Sequence, residues 1–207
     1  MGVSTPAISS APTESLPTSL PTSVAELAAR IAGSVPALAS CRLVCIDGPS
    51  GAGKTVLTDQ LAERLGADFP DLGVQVVHVD ELCRGWDDAP RVSRRVREDL
   101  LVPLAVGLPG LVPTWDWVES AGGPVVRVPV SDVVLAEGVG AYGRSMEPWP
   151  SLVIWVDAPE PVRQARAFAR DGDGYRPHWA GWAADERVVH EREGTRARAN
   201  VRLDTAS

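Results

Sequence analysis

A chain of 207 residues, 44% of them hydrophobic and 23% charged, can bury one sizeable core but hardly two, and neither a disordered nor a fibrous class fits most of it. The formal net charge of −7 argues against a partner held through nucleic-acid backbones or anionic lipid, because such binding runs on clustered positive charge. No apolar run reaches the roughly 18 residues of a bilayer span. The start of the chain lacks a secretory pattern, and three cysteines without a CxxC spacing read as buried thiols of a reducing compartment, the cytoplasm.

Residues 1–22 are rich in Ser, Thr and Pro and almost free of large apolar side chains, the composition of a disordered leader. One domain is expected over 23–207. Ser23 with Glu26 three residues later opens a capped amphipathic helix, expected beside the first strand. Short, nearly continuous apolar runs then predict strands at 42–46, 74–79, 133–136 and 152–156, of the kind buried on both faces, and a last strand at 199–203. Helical patterns fall at 54–65, 92–106, 161–170 and 179–198, so strands and helices alternate. The Gly- and Pro-rich segment 107–130 reads as a loop or small β excursion. The alternation predicts an α/β fold with a parallel sheet of about five strands, helices on both faces and a short lid.

Gly48-Pro49-Ser50-Gly51-Ala52-Gly53-Lys54-Thr55 matches G-x-x-x-x-G-K-[ST] directly after an apolar strand and directly before a helix, the context that motif requires. Its glycines let backbone N–H groups close on phosphate oxygens, Lys54 reaches the β- and γ-phosphates, and Thr55 offers a hydroxyl to Mg²⁺. Lys54 is also the only lysine among the 20 basic residues. Elsewhere arginine supplies positive charge; in a tight phosphate loop its planar fork is too broad, so the retained lysine itself points to phosphate.

Asn200 is the only asparagine, so the N-K-x-D guanine reader of a GTPase is absent, and no LSGGQ-like signature of an ABC ATPase is present. A small-molecule or nucleotide kinase using ATP and Mg²⁺ remains. Such an enzyme needs a base, a metal site and positive charge around the transferring group. Asp80, at the end of the second apolar strand, is the candidate base, with Glu81 its rival; Glu137, closing the strand 133–136, is the candidate for Mg²⁺. Arg163, Arg166 and Arg170 share one helix face ahead of the polar turn 171–176, which adds Arg176; together they suit a lid closing on phosphates. The segment 107–130, which carries Trp115 and Trp117, lies where loops usually carry the substrate. His78, inside a strand pattern, reads as structural, and His178 and His190 are placed to line the lid but lack a metal-ligand partner at suitable spacing.

On the phosphate loop, Asp80, the stretch Pro113-Thr114-Trp115-Asp116-Trp117 and the stretch Ala165–Asp171, the chain resembles the uridine kinase and phosphoribulokinase-like branch of P-loop kinases, from about Cys41 to Asp204. The resemblance implies a P-x-Y-D-F-like segment contacting a nucleoside through Trp115 and Trp117, a catalytic aspartate at Asp80, lid arginines at Arg166 and Arg170, and the family's E-G at Glu137-Gly138. Its D-S-F-Y stretch becomes Asp80-Glu81-Leu82-Cys83 here, and the histidine that commonly follows Y-D-F is replaced around Glu119-Ser120; both departures touch the acceptor pocket. A nucleoside such as uridine or cytidine is the expected acceptor, with a sugar phosphate or a pantothenate-like alcohol as the alternative. A nucleotide-binding regulatory ATPase is the reading from another class.

Overall fold

The computed structural model describes residues 23–206; the predicted leader lies outside them. Five parallel strands form the sheet: β1 (Arg42–Asp47), β2 (Val74–His78), β5 (Val133–Glu137), β6 (Pro150–Asp157) and β7 (Val201–Asp204), in the order β2-β5-β1-β6-β7. Alternation within each strand feeds two cores. Leu43 and Cys45 of β1, with Val134 and Ala136 of β5, join one cluster; Val44 and Ile46, with Val133 and Leu135, join the other. A strand apolar at every position is what this double burial demands.

On one face lie α1 (Val24–Gly33) and α2 (Lys54–Asp68). The predicted capping box forms: Glu26 N–H donates to Ser23 Oγ and Ser23 N–H donates to Glu26 Oε2, both at 3.2 Å, a device worth about 1 kcal/mol. Leu27, Ala28 and Ile31 of α1 meet Leu61 and Leu65 of α2 over the sheet. The other face carries α3 (Ala89–Arg95), a π-helical stretch at Val96–Leu101, α4 (Val102–Ala105) and α6 (Trp179–Glu193). Pro103 has no N–H to return to residue 99, and the helix passes through a π-helical stretch just ahead of it.

Two element readings change. The helix expected at 92–106 begins earlier, at Ala89, and is interrupted by the π-helical stretch Val96–Leu101. The helix expected at 179–198 breaks at Gly194, in left-handed conformation, so that α7 (Thr195–Arg198) follows separately. The segment 107–130 forms the small β excursion expected of it, an antiparallel hairpin of β3 (Gly110–Asp116) with β4 (Ala121–Val128), outside the main sheet. α5 (Glu160–Asp171) connects β6 to the lid turn. Among the described residues, no helix is long and apolar enough to cross a membrane.

The register decides where chemistry can sit. Ile46 of β1 pairs with Glu137 of β5, and Glu137 pairs with His78 of β2. The phosphate loop, Glu137 and Asp80 therefore leave adjacent strands at one level, at the carboxyl edge, where β1 marks the reversal of strand order and open α/β sheets bind ligands.

Candidate active site

Gly48–Thr55 runs from β1 into α2 as predicted, and close approach fixes its shape. A Cβ on Gly51, at φ +78°, would lie 2.1 Å from the carbonyl oxygen of Arg163, so α5 presses directly on the loop. Arg163 donates from Nη1 to Ser50 O (3.2 Å) and from Nε to Ala158 O (3.0 Å). Its role is thus to brace the loop from below. Lys54 is buried, and its Nζ donates to Pro49 O at 3.1 Å, folded back over the loop it belongs to.

Two adjoining cavities meet at this loop. The smaller, about 330 Å³, is lined by Ser50, Gly53, Lys54 and Thr55 together with Asp80, Arg166 and Arg170. The larger, about 750 Å³, takes in Thr55, Asp80, Glu137 and Arg170 and extends to Trp117 and Tyr175, a size suited to a small organic ligand. Most of the residues singled out in the sequence are brought together here. Asp80 stands between the two cavities, which is where an acceptor hydroxyl and a terminal phosphate would have to meet.

Asp80 Oδ1 is sealed from solvent without a hydrogen-bond partner. Burial pushes its pKa from the ordinary 3.8 up to about 6; Lys54 pulls it down and Glu137 pushes it up by smaller amounts. Gly138 leaves room for this carboxylate. At φ +135°, a Cβ there would lie 2.6 Å from both Asp80 Oδ1 and Val79 Cγ2, so the glycine after Glu137 is a spatial requirement of Asp80. Gly138→Ala is expected to displace Asp80 and cut turnover on the order of a hundredfold, with nucleotide affinity, read by calorimetry, changing far less.

Glu137 Oε1 accepts from Thr55 Oγ1 (3.3 Å) and from His78 Nδ1 (2.7 Å), and its Oε2 is buried with no partner. The hydrogen bond to Glu137 is the main cause that raises the His78 pKa. A hydroxyl facing a carboxylate with one oxygen unsatisfied is an oxygen donor set that fits Mg²⁺. These residues would hold it.

The lid arginines separate in space. Arg166 donates from Nη1 to Thr205 Oγ1 (2.9 Å) and from Nη2 to Thr205 O (2.7 Å), and Thr205 Oγ1 donates to Ala52 O (2.8 Å), so the residue after β7 ties the lid helix to the loop. Arg170 forks onto Asp171 at 2.7 and 2.8 Å, and this hydrogen bonding is the main cause that raises its pKa. Arg176 pairs with Asp173 and lies 4.4 Å from the Phe168 ring centroid, lining neither cavity. Of the hairpin residues, Trp117 reaches the cavity and donates from Nε1 to Asp80 O (3.3 Å). Asp116 instead accepts from the N–H groups of Val118 and Glu119 to close the hairpin turn, and Trp115 lines neither cavity.

Several residues escaped the sequence reading. Trp86, Tyr175 and Trp182 line the larger cavity, together with His178. Glu186, almost fully buried, accepts from Ser50 N–H (3.0 Å), from the Ser50 hydroxyl and from Trp182 Nε1, so α6 also grips the loop. Asp47 accepts from the N–H groups of Gly48 (2.7 Å), Gly140 (3.2 Å) and Tyr142 (3.1 Å) and from His190 Nε2 (3.1 Å). Helical spacing of Trp179, Trp182, Glu186 and His190 on α6 was the available signal; as a pattern it reads equally as core.

No protein-family model and no curated protein matches the sequence. Among solved structures, a protein described as a possible uridine kinase from Bacillus stearothermophilus is similar at TM-score 0.64 and 22% identity, over 87% of this chain and 97% of that one. A candidate fructose transport system kinase from Silicibacter sp. is similar at TM-score 0.56 and 17% identity, over 88% of this chain and all of that one (100%). At such identities the likeness is one of fold, and that fold is the P-loop α/β fold to which the phosphate loop, the strand order and the resemblance to uridine kinases all point.

Proposed function

We propose that the chain catalyses ATP-dependent phosphoryl transfer to the hydroxyl of a small molecule, with a nucleoside such as uridine or cytidine as acceptor. One observation carries this reading: Asp80, whose Oδ1 is buried and unpartnered, lines the cavity that also holds Lys54 and Thr55. A carboxylate with its pKa near neutrality and no competing donor suits a general base. Asp80 takes the hydroxyl proton as the acceptor oxygen bonds to the γ-phosphorus; the bond from that phosphorus to the β–γ bridging oxygen breaks, and ADP leaves with the electron pair.

Lys54 and the loop amides hold the phosphates, and Arg166 and Arg170 on the cavity wall offset the charge that develops in transfer. Mg²⁺ held by Thr55 and Glu137 would neutralise charge on the β- and γ-phosphates. Arg176, Trp115 and Asp116 have no part in this mechanism as they stand. The three free, buried thiols support a cytoplasmic setting.

The test is an acceptor screen with ATP, reading ADP release and phosphomonoester formation by ³¹P NMR. Acceptor-dependent ADP release is expected. Tight ATP binding with no acceptor-stimulated turnover across nucleosides, sugar phosphates and simple alcohols would replace this reading with that of a regulatory nucleotide-binding protein.

A further inference from the structure

The larger cavity has two ends of different chemistry. Its inner end holds Asp80, Glu137 and Thr55, which the phosphoryl transfer uses. Its outer wall is aromatic and built around Trp86. The Trp86 ring lies 4.8 Å from Trp117 (tilted at 53°), 5.2 Å from Tyr175 (19°) and 5.9 Å, edge-on, from Trp182. It also carries the His178 imidazole face to face, at 4.3 Å and 6°. The cluster thus already accepts one planar nitrogen heterocycle, supplied by the protein itself.

Charge on this wall is one-sided. Arg170 is its only arginine, and both of its bonded nitrogens go to the Asp171 carboxylate. His78 is engaged by Glu137. Glu81 stands exposed at the cavity, with His78 as its electrostatic neighbour. A ligand carrying phosphate or carboxylate away from its reacting hydroxyl meets a lining of four carboxylates, Asp80, Glu81, Glu137 and Asp171, against the single Arg170 that the transferring phosphate also needs. A positively charged ring that takes the place of the His178 imidazole on Trp86 instead finds a tryptophan face, whose quadrupole attracts cations, and the exposed Glu81 carboxylate.

Resting on the kinase reading above, we infer that among nucleoside acceptors the site prefers one whose planar base is a cation, the ring held by the Trp86 cluster and its charge by Glu81. Anionic acceptors are rejected by the same wall. The reacting end is unchanged: the proton of that hydroxyl passes to Asp80, the new O–P bond forms, and ADP departs.

A charge series with one ribose in common tests this: 3-methylcytidine, whose base is a cation at neutral pH, cytidine, and the carboxylate-bearing orotidine. Binding to protein saturated with a non-hydrolysable ATP analogue, followed by calorimetry, is measured beside turnover with ATP. We expect 3-methylcytidine to bind about ten-fold or more tighter than cytidine, with a correspondingly lower KM, and orotidine to be neither bound nor phosphorylated. Trp86→Leu and Glu81→Gln should each shrink the preference for the cation toward unity. If cytidine binds as well as 3-methylcytidine, or orotidine is turned over, the inference fails while the kinase reading stands. If 3-methylcytidine binds tightest yet no nucleoside is phosphorylated, the cationic site stands and the kinase reading falls. A variant that fails to fold leaves the wild-type series decisive.

Discussion

Asp80→Asn is expected to lower acceptor-dependent turnover by about 10²–10⁴, the usual worth of a positioned general base, while ATP still binds. The asparagine keeps the shape of the side chain between the two cavities but cannot take the hydroxyl proton. Loss of ATP binding to a similar degree would instead make Asp80 a structural support of the loop. Wild-type kcat/KM should fall as pH drops through about 6, because the protonated form that burial favours is inactive as a base.

The same burial makes a stability prediction of opposite sign. A carboxyl whose folded pKa lies above its ordinary 3.8 binds more proton folded than unfolded, so stability falls as pH rises through that window and stays low above about 6. At pH 7.5 the ionised Asp80 thus costs the unliganded fold on the order of 2 kcal/mol, allowing for its partial exposure. Asp80→Asn should therefore raise Tm by several degrees at pH 7.5, the gain shrinking toward pH 5. Thermal unfolding of both proteins across that range decides it. A variant that is less active yet more stable is the mark of a residue kept for chemistry.

How much of this could be read from the sequence depends on how local each cause is. The phosphate loop was fully legible, because its motif, its strand and its helix are contiguous. Asp80 and Glu137 were legible as strand-end acids, although their mutual placement follows from the pairing of β5 with both β1 and β2, which no short segment encodes. The helix face of Arg163, Arg166 and Arg170 was read correctly as a face, yet its members take different partners, since one turn down α5 is the loop and one turn up is the lid. The hairpin misled for a similar reason: Asp116 looks like a ligand in sequence and spends its carboxylate on a turn. Trp86 and Trp182, far apart in the chain, meet only because α6 folds back beside the segment after β2. Periodicity cannot distinguish an aromatic that lines a cavity from one that fills a core.

Amine-directed acetylation is expected to inactivate the protein through one side chain. The chain holds a single lysine, so Lys54 is the only side-chain target, and the α-amine is remote from the site in sequence. Acetylation removes the positive charge and shortens the donor set of a group that must follow phosphate oxygens. Lys54 is buried and folded onto Pro49 O, so reaction should be slow, and ATP, by drawing the ammonium onto its phosphates, should slow it further. The expected loss is 10²-fold or more in turnover, an order typical for removing a charge-stabilising donor, in step with Lys54 modification followed by peptide mass spectrometry. Lys54→Arg should lose comparably, because a planar fork cannot take the position of a compact ammonium inside this loop. Full turnover in protein whose Lys54 is quantitatively acetylated would remove Lys54 from the mechanism, and would leave a chain so biased toward arginine with no chemical reason for its one lysine.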